Sequence, residues 1–278
     1  VTAPDLSGAQ NDVHLVQLWL AQRPETTRRV YAPVAEEFLK GLTIRELDAA
    51  QLIAWSEALQ GEPSTRSRKV STIKSLLTFA WRTGYTLHNV GRVLRCVPIP
   101  SKVAERILEE PEMALLFAGA PEGRDRTFLR LMYATGARVS ELCKLRWVDF
   151  AQPGRMTVLG KGAKKRTLLV PQAILTEVQR LKPAGTLPTA FVFVSKRNPT
   201  KPLDPRDARE IVYQAKRRSK LDRKASPHVL RHSHATHSLD HGCPIHILQQ
   251  SMGHASVATT SVYLHVRPNK GSSTYIKI

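Results

Sequence analysis

The chain has 278 residues, 42% of them hydrophobic, and its 42 Lys and Arg against 23 Asp and Glu leave a formal charge of +19. That length holds one large domain or two modest ones. No apolar run reaches the length of a membrane span, and the first ten residues carry no basic flank leading into an apolar stretch, so neither a membrane anchor nor a signal peptide is expected. So large a positive excess repels itself in a folded chain unless a polyanion is the usual partner, which points to nucleic acid ahead of an acidic membrane surface. Cys96, Cys143 and Cys243 are few, odd in number and far apart, with no CxxC pair. They suggest neither a disulfide framework nor a structural zinc site, and they fit a reducing cytoplasm.

In chain order, the first hundred residues predict short amphipathic helices. One covers roughly Asp12 to Gln22. A second starts near Glu25-Thr26-Thr27 and carries Val30, Val34, Phe38 and Leu39 at helical spacing, with Pro33 expected to kink or break it. A third begins around Asp48, a suitable N-cap. A fourth runs from about Ser64 to Thr83, with Val70, Ile73, Leu76, Leu77 and Ala80 on one face and Gly84 placed to stop it. Its other face holds Arg66, Arg68, Lys69 and Lys74, either a solvated face or one that grips DNA.

The stretch from Arg95 to Glu105, with Pro98 and Pro100, predicts extended chain and a linker. The expected division is a helical domain at 1–95, a linker at 96–106 and a second domain at 107–278. Helices are expected over Glu109 to Ala118 and Thr127 to Thr135. Arg155 to Pro171 predicts a β-hairpin turning at Lys161-Gly162-Ala163-Lys164. Asp204 to Arg218 predicts a helix ending in the basic tract Lys216-Arg217-Arg218, and Pro227 to about Gly242 another. The fold class is therefore mainly α with a small β-sheet.

The reactive side chains fall in spaced blocks. SPHVLRHSHATH puts His228, Arg231 and His232 three and four residues apart, on one helix face. A metalloprotease-like zinc site would need a Glu between its histidines, and none is present. A guanidinium beside an imidazole suits an anion better. In ATGARVSELCKLRW, Arg138 follows Gly136 at a helix start, with Glu141 three residues on; an ordinary surface pair of this kind would contribute little. SMGH ends at His254, and Tyr263 lies nine positions later in ASVATTSVYLHV.

Each block is a weak signal alone, but ATGARVSEL, GKGAKKR, HVLRHSHATH, SMGH and TTSVY together, in this order, resemble the tyrosine recombinase (phage integrase) family. The resemblance covers about residues 107 to 270, and TRSRKVSTIKSLLTFAWRTG followed by Asn89 is similar to the family's core-binding domain. It implies a helical core-binding domain joined to a tyrosine-recombinase catalytic domain. It implies that Arg138 and Arg231 clamp the phosphate, Lys161 is the general acid, His228 the base or proton relay, His254 the second histidine, Glu141 the acidic residue that orients the cluster, and Tyr263 the nucleophile. His232, His234 and His237 are expected to be structural. Val90 after Asn89, where many relatives have Pro, and Val229, at an often polar position, are departures that leave the chemistry untouched. The implied activity is cutting and rejoining of double-stranded DNA at a specific site by a homo-tetramer on paired sites. Metal and cofactor are both expected to be none, with no membrane partner and a cytoplasmic, nucleoid-associated location. A second recombinase or accessory protein remains open. A type IB topoisomerase with the same pocket and a non-catalytic DNA-binding protein are the alternatives. The alternating Thr274-Tyr275-Ile276-Lys277-Ile278 ending is expected either to fray or to add to a sheet edge of its own or a neighbouring protomer.

Overall fold

Eleven α-helices, two short 3-10 helices and one two-stranded hairpin make up the regular structure among the described residues, 4–96, 107–160 and 164–253, of a computed structural model. The chain divides into two compact units, Val1–Pro100 and Ser101–Ile278.

In the first unit, α1 (Asp12–Ala21) starts where the Asn11 side chain accepts from the His14 amide, and its inward residues are Leu15, Val16 and Trp19. Helix α2 spans Glu25–Leu39 without interruption at Pro33. The expected break does not occur. Proline removes one backbone donor, but burial of Val34, Ala35 and Phe38 favours the second half remaining helical. Asp48 caps α3 (Ala49–Ala58) through a reciprocal box with Gln51. Pro63 opens α4 (Pro63–Arg82), and Val70, Ile73, Leu76, Leu77 and Ala80 form its buried stripe. Gly84 follows at φ +76°, where an added Cβ would stand 2.3 Å from the Pro4 carbonyl oxygen. Only glycine fits there, on both backbone and steric grounds.

The second unit begins with α5 (Glu110–Ala118) and α6 (Arg124–Thr135), the latter starting a turn earlier than the apolar pattern implied. A five-residue helix, α7 (Val139–Cys143), follows. Strands β1 (Arg155–Leu159) and β2 (Lys165–Leu169) pair antiparallel, with Thr157 opposite Thr167. Met156, Val158 and Leu168 turn inward, so one face of the hairpin closes the core and the other is open. Then come α8 (Gln172–Arg180), α9 (Pro205–Ser219), α10 (Pro227–Asp240) and α11 (Ile245–Met252). Phe128 of α6 meets Phe193 edge-on at 4.9 Å in the middle of this core. Helix α11 packs Leu248 and Met252 onto Ala235 of α10. That contact fixes where the C-terminal end of α11 lies. Residues 97–106 of the expected 96–106 linker and the C-terminal ending fall outside the described residues.

Candidate active site

The site begins with a glycine. Gly136 ends α6 in the left-handed conformation, φ +60°, and the His234 ring lies where its Cβ would be, 2.4 Å from that position. The reversal delivers Arg138 to the N-cap of α7. The Arg138 amide donates to Glu141 Oε2 at 2.7 Å, and its Nη1 donates to Glu141 Oε1 at 3.0 Å.

Glu141 is a buried carboxylate, its side chain 3% exposed. A lone charge there would be untenable. Arg166 of β2 completes its partners, with Nη1 to Oε1 and Nη2 to Oε2 both at 2.7 Å. Two planar groups thus meet fork to fork, and each carboxylate oxygen accepts two hydrogen bonds. Burial would raise the pKa of Glu141, but hydrogen bonds from Arg166 and Arg138 and the Arg166 charge together hold it below the ordinary value.

The end of α11 anchors all three arginines. Its last carbonyls have no partner within the helix and lie at the negative end of its dipole. Arg166 Nε donates to the Ser251 carbonyl at 2.9 Å, Arg231 Nη2 to the Met252 carbonyl at 2.6 Å, and Arg138 Nη2 to the Gly253 carbonyl at 3.1 Å. Arg231 also donates from Nη1 to the Gly136 carbonyl. Three consecutive carbonyls therefore hold three guanidiniums from three different elements. Three guanidiniums against one carboxylate leave a net of two positive charges. Arg138 keeps 37% of its side chain exposed in this cluster, whereas Arg231 is buried. A groove of about 700 Å³ runs alongside, bordered by Arg155, Lys165, Arg166, His234 and Ser251.

Helix α10 starts at the Ser226 cap and carries His228 exposed in its first turn, Arg231 buried one turn on, and His232 half-buried. His234 is half-buried against Gly136, and desolvation first, then the charge of Arg231, pushes its pKa down to about 4. It is a neutral packing element. His237 is buried and shares a 2.7 Å hydrogen bond with the Tyr133 hydroxyl, whose pKa is pushed up to about 12 mainly by burial. Tyr133 is therefore a poor source of phenolate despite its position beside these histidines. Among the described residues no group of three or more His, Cys, Asp or Glu could hold a metal ion.

Of the sequence-designated residues, the structure brings together Arg138, Glu141 and Arg231. Lys161, His254 and Tyr263 lie outside the described residues; Lys161 belongs to the connection between β1 and β2, and His254 directly follows Gly253. On α4, Arg68 is exposed and Arg66 half-buried. Lys69 pairs with Glu37 at 2.7 Å, and Lys74 donates to the Leu94 carbonyl at 2.6 Å. Arg217 and Arg218 are exposed in the last turn of α9, with Lys216 half-buried beside them. Arg166 is the residue that sequence reasoning missed. Its signal was the strand alternation: in Lys165–Leu169 it shares the inward face with Leu168, an unusual place for a charge.

Residues 99–270 match the model of the phage integrase family. The chain is 34% identical over 255 residues to tyrosine recombinase XerA of Pyrococcus furiosus, covering 90% of this chain and 86% of that protein. Its fold is similar to a lambda integrase (residues 75–356) dimer bound to a COC′ core site, with TM-score 0.73, 20% identity and 96% of each chain covered. A lambda integrase tetramer bound to a Holliday junction is also similar, with TM-score 0.66, 18% identity and coverage of 87% of this chain and 77% of that one. The chain belongs to the phage integrase family and is a tyrosine site-specific recombinase.

Proposed function

We propose that this chain cuts one DNA strand by attack of the Tyr263 phenolic oxygen on the scissile phosphorus, forming a 3′-phosphotyrosine bond as the bond from phosphorus to the 5′-oxygen breaks. The observation that carries this reading is the cationic cluster fixed at the end of α11, one residue before His254 in the chain. Arg138 and Arg231 stabilise the charge that builds on the non-bridging oxygens of the five-coordinate phosphorus. Their orientation is set before DNA arrives, so little reorganisation is needed in the reaction. His228 takes or relays the phenol proton, since a free tyrosine has a pKa of about 10 and needs help to attack. Lys161 delivers a proton to the departing 5′-oxygen. Glu141 orients Arg138, and His254 completes the pocket. A 5′-hydroxyl from a partner strand then attacks the phosphotyrosine, releasing Tyr263 and resealing DNA. The phosphodiester energy is kept in the covalent bond, so neither nucleotide nor metal is required.

The partner is double-stranded DNA carrying a specific site, and the working form is a homo-tetramer on two such sites, as with the lambda integrase tetramer on its junction. The net charge of +19 supports the DNA partner. Arg66, Arg68, Lys69 and Lys74 on the helical 1–95 domain, and Lys216, Arg217 and Arg218 on the 107–278 domain, contact its phosphates. The protein acts in the cytoplasm at the nucleoid.

The test is a nicked substrate that traps the cleaved state. The wild-type chain should accumulate a covalent protein–DNA adduct, and Tyr263→Phe should form none while binding the same DNA with affinity within about twofold. Adduct formation by the Phe variant would remove Tyr263 from the reaction.

A further inference from the structure

We infer that Arg166 is a positioning residue for strand cleavage. It acts by locking Glu141, and thereby Arg138, while tying the hairpin that carries Lys161 to the end of α11. The inference rests on the recombinase reading above and adds a residue to it.

The first observation is the geometry at Glu141. Without Arg166, each carboxylate oxygen would keep only its contact to Arg138, in a site where the side chain is 3% exposed. The fork from Arg166, 2.7 Å on both sides, fixes the rotation of the carboxylate plane. That plane decides where Oε1 sits, and Oε1 in turn holds Arg138 Nη1. An error of about 1 Å at a catalytic group is enough to cost roughly a hundredfold in rate.

The second observation is that two glycines clear space for this guanidinium. A Cβ on Gly160 would lie 3.3 Å from Arg166 Nη1, and one on Gly253, at φ +63°, 3.2 Å from the same atom. Gly160 precedes Lys161, and Gly253 precedes His254. Both flanking backbones therefore approach Arg166 closely, one residue ahead of two proposed pocket residues. The third observation is the Nε bond to the Ser251 carbonyl, beside the carbonyls that hold Arg231 and Arg138. Arg166 thus joins α7, β2 and α11 in one planar group. Lysine cannot replace it, because an ammonium is a point charge without the fork.

The experiment compares Arg166→Ala and Arg166→Lys with wild type on the nicked substrate, measuring the single-turnover rate of adduct formation at saturating DNA, the dissociation constant for site DNA, and the melting temperature. The expected result is a rate about a hundredfold lower in Arg166→Ala, affinity within about twofold, and no more than severalfold recovery in Arg166→Lys. Should Arg166→Ala melt too low for assay, Arg166→Lys, which retains length and charge, carries the test by itself. A wild-type rate in a folded variant overturns the inference. So does a loss of affinity as large as the loss of rate, which would make Arg166 a DNA contact or a purely structural residue. Full rescue by lysine overturns it too, since charge alone would then suffice. If wild type forms no adduct, or if Tyr263→Phe does, the recombinase reading fails and takes this inference with it; an adduct that depends on Tyr263 but is insensitive to Arg166 overturns the inference alone.

Discussion

The basic face of α4 and the arginine cluster at the end of α11 are both positive, yet they are built differently. On α4, among the described residues, Lys69 pairs with Glu37, Lys74 donates to the Leu94 carbonyl, and Arg68 is exposed. Such contacts are screened, cost side-chain entropy and contribute little. Around Glu141, by contrast, each guanidinium meets a carboxylate, a carbonyl or both, and the group at the centre is buried. Long flexible lysines suit a polymer whose phosphates can be met in many ways. Fixed forks suit one phosphorus atom that must be held in one geometry. Charge for gripping can be loose, whereas charge for chemistry has to be placed.

The sharpest way to break this contrast is to remove its centre. Glu141→Ala leaves Arg138 and Arg166 without their shared anion, and loss of one partner of a buried pair destabilises by about 3–5 kcal/mol. Single-turnover cleavage should fall by at least about a thousandfold, and the melting temperature should drop clearly. A variant that cleaves like wild type would show that the cluster is not preorganised by Glu141.

A smaller effect should follow pH. His234 has a folded-state pKa of about 4 against an ordinary 6.5. The unfolded chain binds this proton first, so the stabilising contribution is whole above pH 6.5 and is lost progressively as pH falls towards 4. Glu141, whose pKa is lowered from 4.5, adds its own loss below that value, as the unfolded and then the folded carboxyl takes up a proton. Melting measured from pH 7 to pH 5 should show a decline of roughly 1–2 kcal/mol from His234, and His234→Gln should flatten it. An equal slope in both proteins would assign the pH dependence elsewhere.

The smallest effect belongs to α4. Arg68→Ala should weaken binding to site and non-site DNA alike by severalfold. It should lower the slope of log affinity against log salt by about one, and leave the cleavage rate at saturating DNA unchanged. A change in site preference would instead make Arg68 a reader of bases.

The local elements were legible from the sequence because their causes are local. Apolar spacing marked α4, Asp48 supplied a helix cap, and two β-rich runs around a Gly-containing turn marked the hairpin. The ordered blocks containing Arg138, Lys161, Arg231, His254 and Tyr263 were sufficient for the family, since a motif series in a fixed order survives without coordinates. The break expected at Pro33 did not occur because proline's local cost was outweighed by the burial of Val34, Ala35 and Phe38. Arg166 was passed over because the pair that gives it meaning spans 25 residues, and Arg231 and Arg138 reach the end of α11 across 21 and 115. Helix and strand periodicity follow from interactions over a few residues. Which buried carboxylate meets which guanidinium, and which carbonyls of a helix end remain to be filled, depends on how whole elements pack, and only the tertiary structure decides that.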